Sequence, residues 1–336
     1  MVGIRDVAHL AGVSPATVSR VINEDKSLSV TAETKKRIYA AIEELNYVKK
    51  GTKKSSRNSS IGIITAVSIR DEFEDPYFRS IRLGIALEAR KQHIAANRIY
   101  RLHKDIKIED LSELGAVVIL GQLDKSILDI FYMQNKNLII IDDPYCDEIY
   151  DAVYVDLKKA MEKHLERLFD LGHKKIAFIG GLRKIPIANQ EPLISEEEIR
   201  LETYRSWMKA RGLYDGSYEL LAGWTTDSGY LLMEELLNKM DRKDYPTAVI
   251  VVNDPMAIGV FRAVQKREIR IPEDITVCSF DDIEIASFMT PTLTTAHIDT
   301  EDLGRYAIRL AKERIDQERE RPVHVILPTE LIVRES

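Results

Sequence analysis

The chain has 336 residues, 45% hydrophobic and 30% charged, and a formal net charge of −6. That length exceeds one ordinary core and fits a small domain plus a larger two-lobed one; no run of about 18 apolar residues exists to span a membrane. Two distant cysteines, Cys146 and Cys278, and seven scattered histidines exclude a disulfide framework and lack metal-ligand spacing, so no metal site is expected.

The start of the chain, MVGIRDVAHL, lacks the basic and apolar regions of a secretion signal, and a cytoplasmic protein is expected. Residues 1–46 read as three short helices. The first, over Asp6–Leu10, sets Val7 and Leu10 on one face. Gly12 supplies the positive φ of a tight turn. Ser14 and Pro15 open a second helix as cap and first residue, which runs through Val18, Val21 and Ile22 to about Asn23. A third starts at Thr31 and carries Ile38, Ile42 and Leu45 at helical spacing. This is the layout of a helix-turn-helix, whose second helix enters the major groove. Thr17, Ser19 and Arg20 lie near the start of that helix. Ser and Thr donate or accept at base edges, and Arg pairs bidentately with guanine.

Residues 47–60 form a basic linker, with five Lys and Arg and no acid. Two readings stay open there: a solvated spacer, or a segment whose Lys49, Lys50, Lys53 and Lys54 neutralise phosphates. Residues 1–60 carry eleven Lys and Arg against six Asp and Glu, leaving 37 against 48 in the remainder. A basic head on an acidic body is the asymmetry expected when only the head meets nucleic acid.

From residue 61 onward, apolar runs alternate with helix-period stretches. The runs are Ile61–Thr65, Ala116–Gly121, Leu138–Asp142, Lys175–Gly180, Ala248–Asn253 and Ile275–Phe280. Helices are predicted over Phe78–Lys91, Lys158–Leu171, Ser228–Met240 and Met256–Arg267. The alternation predicts an α/β body, 61–336, of two lobes with parallel sheets. Polar groups at strand C-termini are the candidate ligand contacts: Asp142, Asn253 and Asp281. An acid or amide there is also a common helix cap. Asp254 is assigned to capping and Asp282 to structure, with Asn253 left for the ligand. The pairs Asp142-Asp143 and Asp281-Asp282 point to opposite faces of a strand and make no catalytic dyad. No Walker loop or dinucleotide fingerprint is present, so no enzyme is expected.

The string DVAHLAGVSPATVSRVIN, followed by VTAETKKRI and ELNY, resembles the LacI/GalR repressor family. The resemblance continues through LGHKKIAFIGG (171–181), TAVIVVNDPMAIGVFRAV (247–264), IPEDITVCSFDD (271–282) and TPTLTTAHID (290–299). YDAVYVDL and DYPTAVIVVND are similar to repressors of galactose or β-galactoside operons. The resemblance implies a three-helix head and a periplasmic-binding-protein-like body. It implies a homodimer on a pseudo-palindromic operator, controlled by a small effector between the lobes and needing no cofactor. Positions matching Pro15 and Ala16 tune operator choice; Thr17, Ser19 and Arg20 touch bases or backbone, with Asn23 closing the same helix. Arg200 and Trp224 match positions that hold sugar hydroxyls and stack on the ring. Tyr77 and Phe78 match the first-lobe rim of the cleft, or form an apolar staple at a helix start. Carboxylates with one Trp favour a neutral sugar, galactose or a galactoside first. The alternative is a global or purine-type regulator whose corepressor is a phosphoprotein or nucleobase. Relatives carry an Ala-Arg-x-Leu-like hinge helix in the linker. Residues 49–60 hold no Leu, so phosphate neutralisation with little DNA kinking is expected.

Overall fold

The computed structural model describes residues 3–22, 30–45, 47, 59–67, 72, 75–102 and 106–336. The chain divides into two compact units, Met1–Ser56 and Arg57–Ser336. Among the described residues no helix is long and apolar enough to cross a membrane.

The first unit contains α1 (Ile4–Ala11), α2 (Pro15–Ile22) and α3 (Ala32–Glu44). Gly12 ends α1 at φ +65°, the left-handed conformation that favours glycine. Ser14 Oγ accepts from Thr17 N at 3.1 Å and Thr31 Oγ1 accepts from Thr34 N at 3.2 Å, as helix-opening caps do. Val7, Ala8, Ala11, Val18, Val21, Ile38 and Ala41 make the core. Leu10 corrects the expectation: it is 45% exposed. The buried stripe of α1 runs 7, 8 and 11, which fits the 3.6-residue period and leaves position 10 on the flank.

In the second unit the first lobe has β1 (Ser60–Thr65), α4 (Pro76–Lys91), β2 (Ala95–Arg101), β3 (Ala116–Leu120), α5 (Lys125–Gln134), β4 (Leu138–Ile141) and β5 (Asp151–Val155). The chain then builds the second lobe from α6 (Leu157–Asp170), β6 (Ile176–Gly181), the hairpin β7 (Arg183–Ile185) and β8 (Leu193–Ser195), and α7 (Ile199–Ala210). It continues with β9 (Glu219–Ala222), α8 (Thr226–Lys239), β10 (Ala248–Val251), α9 (Asp254–Lys266), β11 (Thr276–Asp281) and β12 (Thr294–His297). It returns to the first lobe for α10 (Thr300–Ile315) and β13 (His324–Leu327), then crosses back for β14 (Glu330–Ile332). The first sheet is parallel, ordered β13-β5-β4-β3-β1-β2. The second, β14-β12-β11-β10-β6-β9, is parallel except for β14.

Helices cover both faces of each sheet, which is why inner strands such as β3 (AVVIL), β4 (LIII) and β10 (AVIV) are apolar throughout. In β3, Val118 and Leu120 face α4 and α10, while Val117 and Ile119 face α5. Each lobe also brings two helices into backbone contact. A Cβ on Gly84 would stand 2.0 Å from Glu301 O, joining α4 to α10, and one on Gly229 would stand 2.1 Å from Met256 O, joining α8 to α9.

Candidate functional site

The carboxyl ends of the two sheets bring charged groups from both lobes together. Asp75 caps α4, accepting from Tyr77 N at 2.9 Å, and Pro76 fills the first helical position. This fixes Tyr77 so that its hydroxyl donates to Asp142 Oδ1 at 3.0 Å, just past β4. Tyr77 is buried, and Phe78 packs edge-on against it with ring centroids 5.2 Å apart.

From the second lobe, Glu198 caps α7 through the amides of Arg200 and Leu201, and its other oxygen accepts from Arg200 Nε at 2.8 Å. Arg200 Nη1 donates to Val252 O at 2.5 Å. Its guanidinium stands 5.4 Å from the Trp224 ring and 5.3 Å from that of Phe280. Trp224 Nε1 donates to Leu182 O at 2.9 Å, and the indole lies over Gly181, where a Cβ would come within 2.3 Å of the ring. Gly181 therefore makes the room for Trp224.

Two of the acids are held in unusual backbone. Asp142 has φ +66° and Asp281 φ +107°. Non-glycine residues in such conformations are strained and gather at functional sites. Burial pushes the Asp142 carboxyl up to about 7 against the opposing Tyr77 hydroxyl and Arg200 charge. Burial, then the like charges of Asp75 and Asp254, pushes Asp281 well above the usual carboxylate range. Burial also raises Tyr77, helped by Asp142 and Asp281. For Arg200 burial works against the charge, but Glu198 and Asp281 outweigh it and raise the guanidinium above its ordinary value. The lobes thus face each other across an acidic cleft with one embedded guanidinium, a half-exposed indole and a buried phenol. Such a cleft can accept hydrogen bonds from several hydroxyls while one ring face covers C–H groups.

All seven sequence-selected ligand candidates lie at or beside this cleft. Tyr77, Asp142, Arg200 and Asp281 sense one another's charge; Trp224 and Asn253 border them, and Phe78 is one residue behind. One assignment is corrected. Asn253, not Asp254, caps α9: its Oδ1 accepts from Met256 N at 2.9 Å and its Nδ2 donates to Trp224 O at 3.2 Å. Asp254 is instead the first helical residue, and its carboxylate accepts from Ile283 N at 2.9 Å and Thr295 Oγ1 at 2.8 Å. These two partners draw the Asp254 carboxylate away from the helix end and leave the cap to Asn253. Asp282 pairs with Arg334 at 2.6 Å and His297 at 3.1 Å. Asp75 and Glu198 escaped the sequence reading; an acid directly before Pro76 was the available signal for the first.

On the head, Pro15, Ala16 and Arg20 are exposed and Thr17 and Ser19 half-buried on α2. The Thr17 hydroxyl shares a 2.8 Å hydrogen bond with Ser14. Asn23, Lys49, Lys50, Lys53 and Lys54 lie outside the described residues.

Two family profiles match the chain. That of bacterial regulatory proteins, lacI family, covers residues 3–50, and that of the periplasmic binding protein-like domain covers 165–336. The HTH-type transcriptional repressor MelR of Bacillus subtilis (strain 168) is 33% identical over all of this chain and 97% of its own. The ribose operon repressor of Escherichia coli (strain K12) is 32% identical over 94% of each. The structure of a transcriptional regulator CelR-cellobiose complex superposes with a TM-score of 0.71 at 27% identity, covering 100% of both chains.

Proposed function

The chain belongs to the lacI family of bacterial regulatory proteins, and from that premise we propose that it represses a sugar-utilisation operon under the control of a neutral sugar bound between its lobes. The observation that carries this reading is the cleft itself. Asp142 and Asp281 face one guanidinium whose Nε and Nη1 are already used by Glu198 and Val252. A phosphate or carboxylate ligand would find that guanidinium already ion-paired with Glu198, whereas a polyol exchanges hydrogen bonds with the acids and lays a C–H face on Trp224. The CelR relative is seen in complex with cellobiose, a polyol of this kind, and the Escherichia coli relative is the repressor of a ribose operon. Galactose or a galactoside is the first candidate here. Tyr77, Asp142, Arg200, Trp224, Asn253 and Asp281 carry the contacts, and Phe78 backs Tyr77.

Residues 1–46 are assigned to DNA, 47–60 to the linker and 61–336 to effector binding and dimerisation. Two heads of a homodimer read a pseudo-palindromic operator through Pro15, Ala16, Thr17, Ser19, Arg20 and Asn23. Leu83 and Leu87, one turn apart on α4 and each about half exposed, offer apolar surface for the partner. The protein is assigned to the cytoplasm, with no catalytic step and no cofactor.

A thermal-shift screen of the full chain tests the effector class, using galactose, melibiose, cellobiose, ribose, adenine and glucose 6-phosphate. A sugar at ~100 times its dissociation constant should stabilise by roughly 2.7 kcal/mol. Stabilisation by the nucleobase or the sugar phosphate alone overturns the reading.

A further inference from the structure

Arg183 occupies β7, the first strand of the short hairpin that leaves the second lobe after β6. Although it belongs to that lobe, its Nε donates to Gln122 Oε1 at 2.6 Å, just past β3 of the first lobe. Its Nη1 donates to Glu197 O at 2.5 Å on its own side. The face of the guanidinium lies 4.4 Å from the ring of Tyr145, past β4 of the first lobe. The side chain is only 8% exposed. The hairpin tip follows the same path. Pro186 O accepts from Asp124 N at 3.0 Å, Ala188 N donates to Ser126 Oγ at 3.3 Å, and Ala188 packs on the first-lobe core.

We propose that Arg183 is a positioning residue for the cleft: a guanidinium clasp that holds the two lobes closed on each other and so sets the affinity for whatever the cleft binds. Both ends of the clasp adjoin cleft residues. Arg183 is two residues from Gly181 and one from Leu182, which together seat Trp224. On the other side Tyr145 N donates to Asp143 Oδ1 at 3.1 Å, and Asp143 directly follows Asp142. Opening the clasp therefore moves Trp224 away from Asp142. Only a planar guanidinium can donate in two directions while presenting a face to an aromatic ring; a lysine ammonium cannot do all three. If the binding-competent, closed arrangement becomes less populated, apparent affinity falls by the same factor.

The inference rests on interlobe geometry and not on the ligand, so hydrogen exchange is measured on the full chain without any. In Arg183→Gln, the amides of Asp124 and Ala188 should exchange at least about tenfold faster than in the parent, while the inner strands β3 and β10 keep their protection. Arg183→Lys should resemble Arg183→Gln, and Gln122→Ala should give a smaller acceleration at the same two amides. Unchanged exchange at Asp124 and Ala188 overturns the clasp. Equal acceleration in β3 and β10 overturns it too, because Arg183 would then only support the fold, and full rescue by lysine overturns the guanidinium clasp, because charge alone would then suffice. Should Arg183→Gln fail to fold, Gln122→Ala and Tyr145→Leu test the same contacts from the first lobe.

Discussion

Two buried groups make the molecule pH-dependent, Asp142 through ligand affinity and His164 through stability. Asp142 changes charge near neutrality, since burial has raised it to about 7. A ligand hydroxyl donating to Asp142 prefers the ionised form, so binding expels a proton. Effector affinity should rise with pH from 5.5 to 7, by up to about tenfold per unit, and level off above. Asp142→Asn should flatten that slope in calorimetry with the sugar identified by thermal shift. His164 acts on stability instead. It is 1% exposed, its Nε2 donates to Ser279 O at 2.8 Å, and burial lowers it to about 4 from 6.5. Above pH 6.5 both folded and unfolded chains hold it neutral, so it contributes no pH dependence. As pH falls from 6.5 to 4 the unfolded chain takes up the proton first, costing the fold about 3 kcal/mol at most. The raised Asp142 and Asp254 carboxyls work the other way, giving stability below pH 3.8 that is lost as pH rises towards 7. The difference between parent and His164→Asn in urea unfolding, taken from pH 7 to pH 4.5, isolates the histidine. A difference that stays constant across that range removes this role.

At the scale of elements, inner β5 (DAVYV) and β12 (TTAH) escaped because Asp151, Thr294, Thr295 and His297 break their apolar runs, whereas the other six inner strands were legible because a parallel strand covered on both faces is largely apolar, as AVVIL in β3 and LIII in β4 are. The outer ones were not. β2 reads AANRIYR, β9 and β13 have four residues each, and sheet edges tolerate mixed sequence. β7 and β8 are three residues long, below the length at which alternation can be seen, and with them went the role of Arg183. The acids after strands were visible as a pattern. Which of Asn253 and Asp254 capped α9 was not, because both are good caps and the choice depends on what Asp254 meets in space, namely Ile283 and Thr295. The helix crossings give a prediction here. Alanine in place of a mid-helix glycine ordinarily gains up to about 1 kcal/mol. At Gly84 the new Cβ meets the Glu301 carbonyl at 2.0 Å, and backbone can yield only by parting α4 from α10. Overpacking of about 1–3 kcal/mol outweighs the propensity gain. Gly84→Ala should therefore lower the urea midpoint. Gly216→Ala, whose Cβ meets only the Tyr214 hydroxyl at 3.7 Å, should leave it nearly unchanged.

On the whole molecule, charge separates by region: the basic excess lies in residues 1–60 and the acidic excess beyond them. Replacing Lys49, Lys50, Lys53 and Lys54 with Gln should reduce the slope of log affinity against log salt by up to about 0.9 per lost phosphate contact, with sequence preference kept. An unchanged slope would identify the linker as a spacer; a sequence-dependent loss would identify a folded hinge. The path of the chain through the body has a further consequence, for synthesis. The first lobe takes α10 and β13 from beyond β12, after the second lobe has been laid down almost entire. Leu303, Ala307, Ile308 and Ala311 of α10 fill the core that Ile81 and Ile85 of α4 began. As the ribosome releases the chain, the three-helix head can close at once and the second lobe soon after its last inner strand, since domains fold as units in the order they emerge. The first lobe, begun before the second, closes after it, and until then its α4 face waits without the helix that covers it.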